Sequence, residues 1–392
     1  MRRTSNLIRS RAATVHLLAA LRRRLTRAAA AWDFLLAGWP ARLERLGLWG
    51  RAAAGRRPAR LELVPLEARF MPARTDVLVS PSTAAAQWSS VAMDPDGDSV
   101  IVWYNTLGIW ARLYGPDGAP KGSTFQVATD NTGIGLYTWP SVAMAADGGF
   151  VVVWETLDPA RGNIYISARE YAANGTPDGG AFQVNTSTTN YQINPVVAAD
   201  AGGDFVVAWT SADSDSSNTG VLAQRFAAGG SPQGSEFLVN SYPTGAQRNP
   251  AVAMDADGDF VIAWVSYGQD GGQPWSPYGS FAQRFAADGT PQGSEFRVNT
   301  STNYDELVRS VAMDEDGDFI IAWTSYDPGG AGGQDGSGGG VYAQRYTAGG
   351  TPQGSEFRLN TYTTGAQYSP WVAMDADGNF IATWESYAQD GN

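Results

Sequence analysis

The chain has 392 residues, a length that allows two or three domains or one large repeat domain. It has 27 Lys and Arg against 39 Asp and Glu, and the two signs are separated along the chain. Residues 1–74 hold 16 Arg and 4 acidic residues, which leaves 11 basic and 35 acidic residues, a net charge of −24, in residues 75–392. An acidic body of this kind excludes nucleic acid as the expected partner, because phosphate contacts require clustered Lys and Arg.

The residue types that are missing exclude several kinds of chemistry. The chain has no Cys, so it has no disulfide framework, thiolate metal site or Cys nucleophile. Its single His, His16, lies in the basic N-terminal part, so catalysis in residues 75–392 has to proceed without imidazole. The 46 Gly, 14 Trp and only 17% charged residues indicate an ordered, β-rich chain.

Residues 1–74 form a basic leader whose composition differs from the rest of the chain. Its apolar runs, Ala12–Leu21 and Ala28–Ala41, are shorter than the roughly 18–20 apolar residues of a transmembrane helix, so we expect no membrane span. A charged start followed by a short apolar run predicts a targeting segment. The alternative is a basic amphipathic helix or a disordered arm. We place the boundary near Arg74.

Residues 75–392 consist of six copies of one unit. The phrase Ser90–Asp98 leads into an apolar strand that closes on Trp103, and the same phrase recurs five more times. The closing tryptophans are 51, 55, 55, 59 and 61 residues apart. They are Trp103, Trp154, Trp209, Trp264, Trp323 and Trp384.

Each unit is predicted to form four short strands. In the fourth copy these are strand A, Val252–Met254; strand B, Phe260–Trp264; strand C, Phe281–Phe285; and strand D, Phe296–Asn299. Strand B is apolar at every position, which indicates that both of its faces are covered. The Asp-Gly turns between strands A and B favour hairpins.

Four strands in about 55 residues predict an all-β fold, a β-propeller of about six four-stranded blades with the last blade incomplete. A linear array of small β units is the alternative. The sixth copy reaches only Glu385–Asn392, before its strands C and D. Thr75–Pro81 stands where a strand D belongs, so it completes the sixth blade of a closed ring, or else the chain is a fragment of a longer array.

Two segments resemble known protein families. The repeats resemble the V-A-M-D-x-D-G-x-F-V-x-x-W, Y-A-Q-R-F and G-x-E-F-x-V-N tandem repeats of large exported bacterial surface proteins. Leu61–Ala73 resembles the L-E-x-L-E-x-R-x-x-P-type segment found near the N-terminus of such proteins. These resemblances imply an extracellular or cell-surface, propeller-like module without an assigned activity.

The acidic A–B turns are candidate Ca²⁺ sites, because hard cations prefer clustered carboxylate oxygens. The alternative is that each Asp hydrogen-bonds its own turn and Gly provides the corner. The candidate ligands are Asp94, Asp96, Asp98, Asp255, Asp257, Asp259, Asp314, Asp316, Asp318, Asp375 and Asp377.

An Arg recurs in strand C of five units, at Arg112, Arg169, Arg225, Arg284 and Arg345. We expect a structural role in which each Arg pairs with carboxylates or carbonyls. The strand D acids Glu236, Glu295 and Glu356 are candidate partners, and the Asp turns are the more general ones.

The B–C loops carry most of the visible differences between the repeats. The fourth loop contains Trp275 and Tyr278, which we predict to contact a ligand, since exposed aromatics stack on sugars or anchor a protein partner. Alternatively, Trp275 packs back onto its own blade.

We therefore predict a non-enzymatic, extracellular or cell-surface binding module for a glycan or protein partner, with Ca²⁺ as the one candidate cofactor. Catalysis is not expected, because a catalytic site should appear as an asymmetry among the repeats. The alternatives are a secreted glycan hydrolase of the sialidase-like propeller type and a purely architectural segment of a larger surface protein.

Overall fold

The computed structural model describes residue 79 and residues 86–129, 139–158, 160, 162–187, 191–212, 219–271, 277–327, 333–387 and 389. The basic leader, residues 1–74, lies outside the described residues. The described part of the chain contains 22 β-strands and no helix, and correspondingly no helix that is long and apolar enough to cross a membrane.

The strands form five antiparallel sheets of four strands and one sheet of two strands, in chain order. We call these sheets blades 1 to 6. Blade 1 comprises β1 (Gln87–Met93), β2 (Ser99–Asn105), β3 (Gly108–Tyr114) and β4 (Pro120–Thr129). Blade 2 comprises β5 (Ser141–Met144), β6 (Phe150–Asp158), β7 (Asn163–Tyr171) and β8 (Pro177–Gln183). Blade 3 comprises β9 (Gln192–Ala199), β10 (Phe205–Ala212), β11 (Thr219–Phe226) and β12 (Phe237–Leu238).

The second half of the chain repeats this arrangement. Blade 4 comprises β13 (Gln247–Met254), β14 (Phe260–Tyr267), β15 (Tyr278–Phe285) and β16 (Phe296–Arg297). Blade 5 comprises β17 (Asp305–Met313), β18 (Phe319–Tyr326), β19 (Gly339–Tyr346) and β20 (Phe357–Arg358). Blade 6 comprises β21 (Gln367–Met374) and β22 (Phe380–Ser386).

The second strand of each blade forms the core, as its uninterrupted apolar sequence predicts. Ile321 and Trp323 on one face of β18 pack against Val261 and Ala263 of blade 4, while Ile320 on the other face packs towards blade 6. Trp323 and Ile320 are both 0% exposed. Full burial of one such side chain stabilises the fold by about 1.5–3 kcal/mol, so stacking of blades is the main source of stability.

The first strands of successive blades lie side by side, since β1 contacts β5, β5 contacts β9, β9 contacts β13, β13 contacts β17 and β17 contacts β21. This radial arrangement of four-stranded sheets around their first strands is that of a β-propeller. The predicted fold is confirmed, and the linear array is excluded for the described blades.

The first strand of each blade is longer than predicted. In blade 4 it begins at Gln247, five residues before the predicted start at Val252, and its pairing with β14 shifts register between Arg248 and Ala251. Such a bulge inserts an unpaired residue and bends the strand. The same irregularity recurs in the first strands of blades 1, 3, 5 and 6.

Within Thr75–Pro81, the structure describes Val79. This side chain is buried against Ile101 and Trp103 of blade 1. Val239, which directly follows β12 of blade 3, is buried against Trp264 of the next blade in the same way. The role of Thr75–Pro81 as the last strand of a closed ring stays a prediction.

Candidate functional site

The first Asp of each A–B turn closes the turn by hydrogen bonds. Oδ1 of Asp255 accepts the backbone N–H groups of Asp257 at 3.0 Å and Asp259 at 2.9 Å. Asp94, Asp314 and Asp375 each accept the N–H four residues further on, at 2.8–2.9 Å. These bonds are those expected of Asp in turns.

The third Asp of the turn fastens the neighbouring C–D turn. Oδ1 of Asp259 accepts the N–H of Ala287 at 2.8 Å, and its Oδ2 accepts Nε2 of Gln292 at 3.1 Å. Asp318 makes the equivalent bonds to Ala348 and Gln353, both at 2.9 Å. Both carboxylate oxygens are therefore used within the blade.

The A–B turns also contact each other around the axis. Oδ2 of Asp255 lies against Gly317 of the next turn, where an added Cβ would be 3.2 Å away. Burial raises the pKa of Asp94, Asp200 and Asp255. Among the described residues no group of three His, Cys, Asp or Glu side chains is arranged to hold a metal ion, and Ca²⁺ binding at these turns stays a prediction.

The repeated Arg joins blades through backbone carbonyls. Arg225 donates to the carbonyl oxygen of Asp288 in the next blade at 2.6 Å, and Arg284 donates to that of Gly349 at 2.5 Å. Each also donates to a Gln of its own blade, Gln233 and Gln292 respectively. The expected structural role therefore stands, but these hydrogen bonds go to carbonyl and amide oxygens and not to carboxylates.

The strand D acids bond elsewhere. Oε2 of Glu236 accepts the N–H of Thr186 at 2.7 Å, and Oε2 of Glu295 accepts that of Ser241 at 2.6 Å. Each acid thus anchors the strand D end of the preceding blade. Their proposed pairing with the repeated Arg is wrong.

Of the two loop aromatics, Trp275 lies outside the described residues. Tyr278 is the first residue of β15, and the guanidinium of Arg248 lies 4.7 Å from the centre of its ring. Tyr267 contacts the same ring edge-on, with the centroids 5.4 Å apart. A ligand contact at Tyr278 stays a prediction.

The first strands, or the residues that lead into them, carry six positions, one in each blade, at which the repeats differ. We call them the inner positions; each lies three residues before the Val of strand A. They are Trp88, Trp139, Asn194, Asn249, Val308 and Ser369. Asn194 Nδ2 donates to Asn249 Oδ1 at 2.8 Å, and the rings of Trp88 and Trp139 stack with centroids 5.5 Å apart, so inner positions of successive blades touch.

A second set of variable residues supports the inner positions. We call them the support positions; each directly follows the Trp that closes strand B. They are Tyr104, Glu155, Thr210, Val265, Thr324 and Glu385. Oγ1 of Thr210 accepts the N–H of Asn249 at 2.9 Å, and Oγ1 of Thr324 accepts that of Ser369 at 3.1 Å.

The two sets of positions vary together. Asn249 and Ser369 have φ of +55° and +52°, a conformation that Asn and Ser tolerate and β-branched residues avoid. In blade 5 the inner residue is Val308, whose φ is not positive, and the support residue in blade 4 is the apolar Val265. Both valines are buried in one hydrophobic cluster. A support residue therefore has a side-chain oxygen in those blades where the inner residue of the following blade has a positive φ and donates its N–H group to that oxygen.

Glu155 is the unusual member of the support positions. Its Oε1 accepts the N–H of Asn194 at 2.7 Å, the bond that Thr210 and Thr324 make in their blades. The side chain is only 7% exposed, and burial raises its pKa to about 7, against which the bond from Asn194 acts only partly. Burial therefore favours the protonated form of Glu155, the form of an acid that can donate a proton.

Blades 5 and 6 contribute further departures from the repeat. Arg309 stands where other blades have proline, for example Pro250 and Pro370, and its side chain is exposed. Trp371, in the next column, is 46% exposed where Ala251 is buried. The support residue of blade 6 is an exposed acid, Glu385.

A second buried acid stands where other blades have glutamine. Glu306 pairs with Ser325 as Gln247 pairs with Ser266 in blade 4. It is 0% exposed, its Oε1 accepts the hydroxyl of Ser325 at 3.1 Å, and burial raises its pKa well above the ordinary value. A buried carboxyl group therefore occupies the place of an amide inside the blade.

The signal for this site is present in the sequence, but the asymmetry among the repeats was predicted to lie in the B–C loops. The inner and support positions show it when the six copies are aligned on the Val-Ala of strand A and on the closing Trp. Trp88, Trp139 and Glu155 then differ from Asn249 and its neighbours. The sequence does not show that the support residue of one blade hydrogen-bonds to the inner residue of the next, since this depends on how the first strand bends at its bulge.

The fold and this central site define the class of the protein as a β-propeller. The chain resembles a protein of unknown function from Dyadobacter fermentans with 12% identity and a TM-score of 0.53, over 77% of this chain and 90% of that chain. It also resembles an α-L-arabinanase from Penicillium chrysogenum complexed with arabinobiose, with 12% identity and a TM-score of 0.50, over 77% of this chain and 93% of that chain. A third similar structure is an α-L-arabinofuranosidase from Fusarium graminearum, with 8% identity and a TM-score of 0.47, over 78% of this chain and 94% of that chain. By sequence, the chain matches no protein-family model and no curated protein.

The prediction that the chain is not an enzyme is wrong. The Penicillium arabinanase, which shares this fold, is named as an enzyme, so the repeated fold gives no ground to exclude catalysis. The prediction failed because it treated a repeated scaffold as evidence against a catalytic site. A propeller keeps its repeats for blade packing and varies the few residues around its axis.

Proposed function

We propose that the chain is a glycan hydrolase whose site is the group of inner and support positions around Glu155. The observation that carries the proposal is a carboxyl group that is only 7% exposed at a support position and accepts the N–H of Asn194, where burial raises its pKa to about 7. Thr210 and Thr324 make the same hydrogen bond with a hydroxyl group. The bond therefore does not explain a carboxylic acid at this position, whereas proton donation does.

Aromatic residues beside Glu155 provide a surface for a sugar ring. Trp139 leads into β5, which pairs with β6, the strand that carries Glu155. Trp139 is 37% exposed and stacks on Trp88 of blade 1. Aromatic faces of this kind bind the apolar faces of sugars. The partner is thus a glycan, in agreement with one of the two partner classes that the sequence predicted.

Hydrolysis by two carboxyl groups assigns a role to each acid of the support positions. Glu155 donates its proton to the leaving glycosidic oxygen as the bond from that oxygen to the anomeric carbon breaks. Glu385, which is exposed, acts as the base that takes one proton from the attacking water, and the hydroxyl joins the anomeric carbon. Both groups return to their starting states by exchange with solvent.

The test is release of reducing sugars from a panel of polysaccharides that includes arabinan and polygalacturonate, at pH 4–9. We expect turnover that falls as the pH rises through about 7. Glu155→Thr is the decisive variant because it keeps the hydrogen bond to Asn194 as the other blades make it. It should lower kcat at least about 100-fold, the contribution of a general acid.

Two further variants complete the design. Glu385→Gln should lower kcat, and Trp139→Ala should chiefly raise KM, because it removes a binding surface and not a proton donor. Glu236→Gln replaces an acid outside the inner and support positions, keeps an oxygen that can accept the N–H of Thr186, and serves as the matched control. Turnover by Glu155→Thr equal to that of the parent chain contradicts the proposal, as does failure of the parent to cleave any glycan of the panel.

We also propose that the protein works outside the cell or at the cell surface. The basic leader and its two short apolar runs support export, and the absence of Cys leaves the fold independent of the redox state of its compartment.

A further inference from the structure

Arg309 is a cation on the innermost strand of blade 5, at a position where a long side chain is unusual. Four of the six blades have proline in this column: Pro140, Pro195, Pro250 and Pro370. The pairing of β17 with β18 shifts register between Val308 and Ser310, so Arg309 is the extra residue of the bulge. A bulged residue is aimed away from the ladder, and Arg309 is accordingly exposed.

Within the described part of the chain, Arg309 makes no hydrogen bond and no ion pair within 4 Å. The side chain is accessible to solvent but lies among protein atoms, so burial lowers the pKa of Arg309, and the charge of Glu385 in blade 6 opposes this shift. Arg248, on the neighbouring first strand, differs because its guanidinium is stacked on Tyr278. Arg309 therefore presents a guanidinium with its donors available, whereas Arg225 and Arg284 of strand C are engaged between blades.

Trp371 lies on the first strand of the blade that follows Arg309. The hydroxyl of Ser310 accepts the N–H of Val372 at 3.1 Å, which sets β17 and β21 side by side at this level. Arg309 and Trp371 directly precede the two residues of this hydrogen bond on their strands. Trp371 is 46% exposed, and its column holds the small residues Ser310 and Ala251 in blades 5 and 4.

We propose that Arg309 and Trp371 form a subsite for the acidic group of an anionic glycan. The indole ring stacks on a sugar ring, and the guanidinium binds its carboxylate or sulfate oxygens with paired hydrogen bonds. Arg309 supplies a positive charge on an innermost strand, which attracts an anionic group to this place. The subsite thereby determines the orientation in which an acidic glycan binds across the inner positions.

This inference rests on the proposed function for the place of the site, but its test measures binding and not turnover. Affinity electrophoresis of the full chain uses gels that contain polygalacturonate, its methyl ester, dextran sulfate or dextran. We expect polygalacturonate or dextran sulfate to retard the chain, and the uncharged methyl ester and dextran to do so at least about tenfold more weakly. The first two arms separate a carboxylate from a sulfate ester.

The variants isolate the subsite from the basic leader, which is the same in all of them. Arg309→Pro installs the residue that four blades already have, so we expect it to fold and to weaken retardation by the charged glycan about tenfold. Trp371→Ala should weaken it as well. Arg297→Ala removes an exposed Arg from the outer strand β16 and is the matched control, which should leave retardation unchanged.

The outcomes separate this inference from the proposed function. Equal retardation of the parent and Arg309→Pro, equal retardation by charged and uncharged glycans, or no retardation by either polyanion overturns the subsite. Hydrolysis of an anionic glycan with unchanged kinetics in Arg309→Pro also overturns it and leaves the hydrolase proposal intact. Retardation that depends on Arg309 without turnover of any glycan supports the subsite and contradicts the hydrolase.

Discussion

At the level of single residues, Glu155 links stability to pH. Its pKa in the folded chain is about 7, above the ordinary value of 4.5, so the folded state binds the proton more tightly than the unfolded state. The resulting stabilisation is complete below about pH 4.5 and is lost as the pH rises through 7. A shift of this size corresponds to about 3 kcal/mol.

The pH dependence is measured by urea unfolding of the parent and Glu155→Thr at pH 4.5 and pH 8. Other buried acids, such as Glu306 and Asp255, are common to both chains and cancel in the comparison. We expect the parent to lose more unfolding free energy between the two pH values than the variant. The same loss in both chains would show that Glu155 titrates at an ordinary pH.

A second prediction for single residues concerns the hydroxyl groups of the support positions. Thr210→Val has the same shape but leaves the N–H of Asn249 without its acceptor, so we expect a loss of about 1–3 kcal/mol in unfolding free energy. Thr210→Ser keeps the hydroxyl group and should lose less than Thr210→Val. A loss in Thr210→Ser as large as that in Thr210→Val would contradict the prediction, because the methyl group would then contribute as much as the hydrogen bond.

At the level of structural elements, the A–B turn shows why its Gly recurs. Gly317 has a φ of +81°, and a Cβ there would lie 3.2 Å from both Asp255 Oδ2 and the Cβ of Ala348. Gly354, in the C–D turn of the same blade, has a φ of +80° with nothing within 4 Å of an added Cβ. The two positions therefore share the backbone strain but not the crowding.

We expect Gly354→Ala to lower the unfolding free energy by about 1 kcal/mol, the cost of the left-handed conformation for a residue with a Cβ. Gly317→Ala should lose more, because Asp255 or Ala348 has to move. Chemical denaturation of the two variants gives the difference. If both lose the same amount, contact between successive A–B turns contributes nothing to stability.

The same turns test the Ca²⁺ prediction. If the turns bind the ion, millimolar CaCl₂ raises the melting temperature above that in NaCl of equal ionic strength, since binding to the folded state alone stabilises it. Asp257→Asn, at the exposed middle of one turn, should reduce this increase. Identical melting curves in Ca²⁺ and in chelator would leave the carboxylates with the hydrogen-bonding role that Asp255 and Asp259 show.

For the molecule as a whole, the charge separation predicts processing. Residues 1–74 carry the basic charge and residues 75–392 the acidic charge. If the leader is a targeting segment, secreted material begins near Thr75, which mass spectrometry of the intact protein measures. A cytosolic protein that retains Met1–Arg74 would contradict export.

The fold could be predicted from the amino-acid sequence, since a period of about 55 residues, an all-apolar second strand and Asp-Gly turns leave little choice for how the blades form and stack. The turn chemistry of Asp255 and the structural use of Arg225 were predictable as well, because both depend on neighbours within one repeat or the next. These features are local and periodic, and a single sequence displays them directly.

The site, in contrast, could be recognised only in three dimensions. Trp88 and Trp139 stack on each other although they lie in different blades, and Glu155, Thr210 and Thr324 each bond to the inner residue of the following blade. The pKa of Glu155 likewise follows from burial by neighbouring blades and not from its own segment. The properties of the site depend on contacts between residues of different repeats, and the spacing of residues within one repeat does not reveal those contacts.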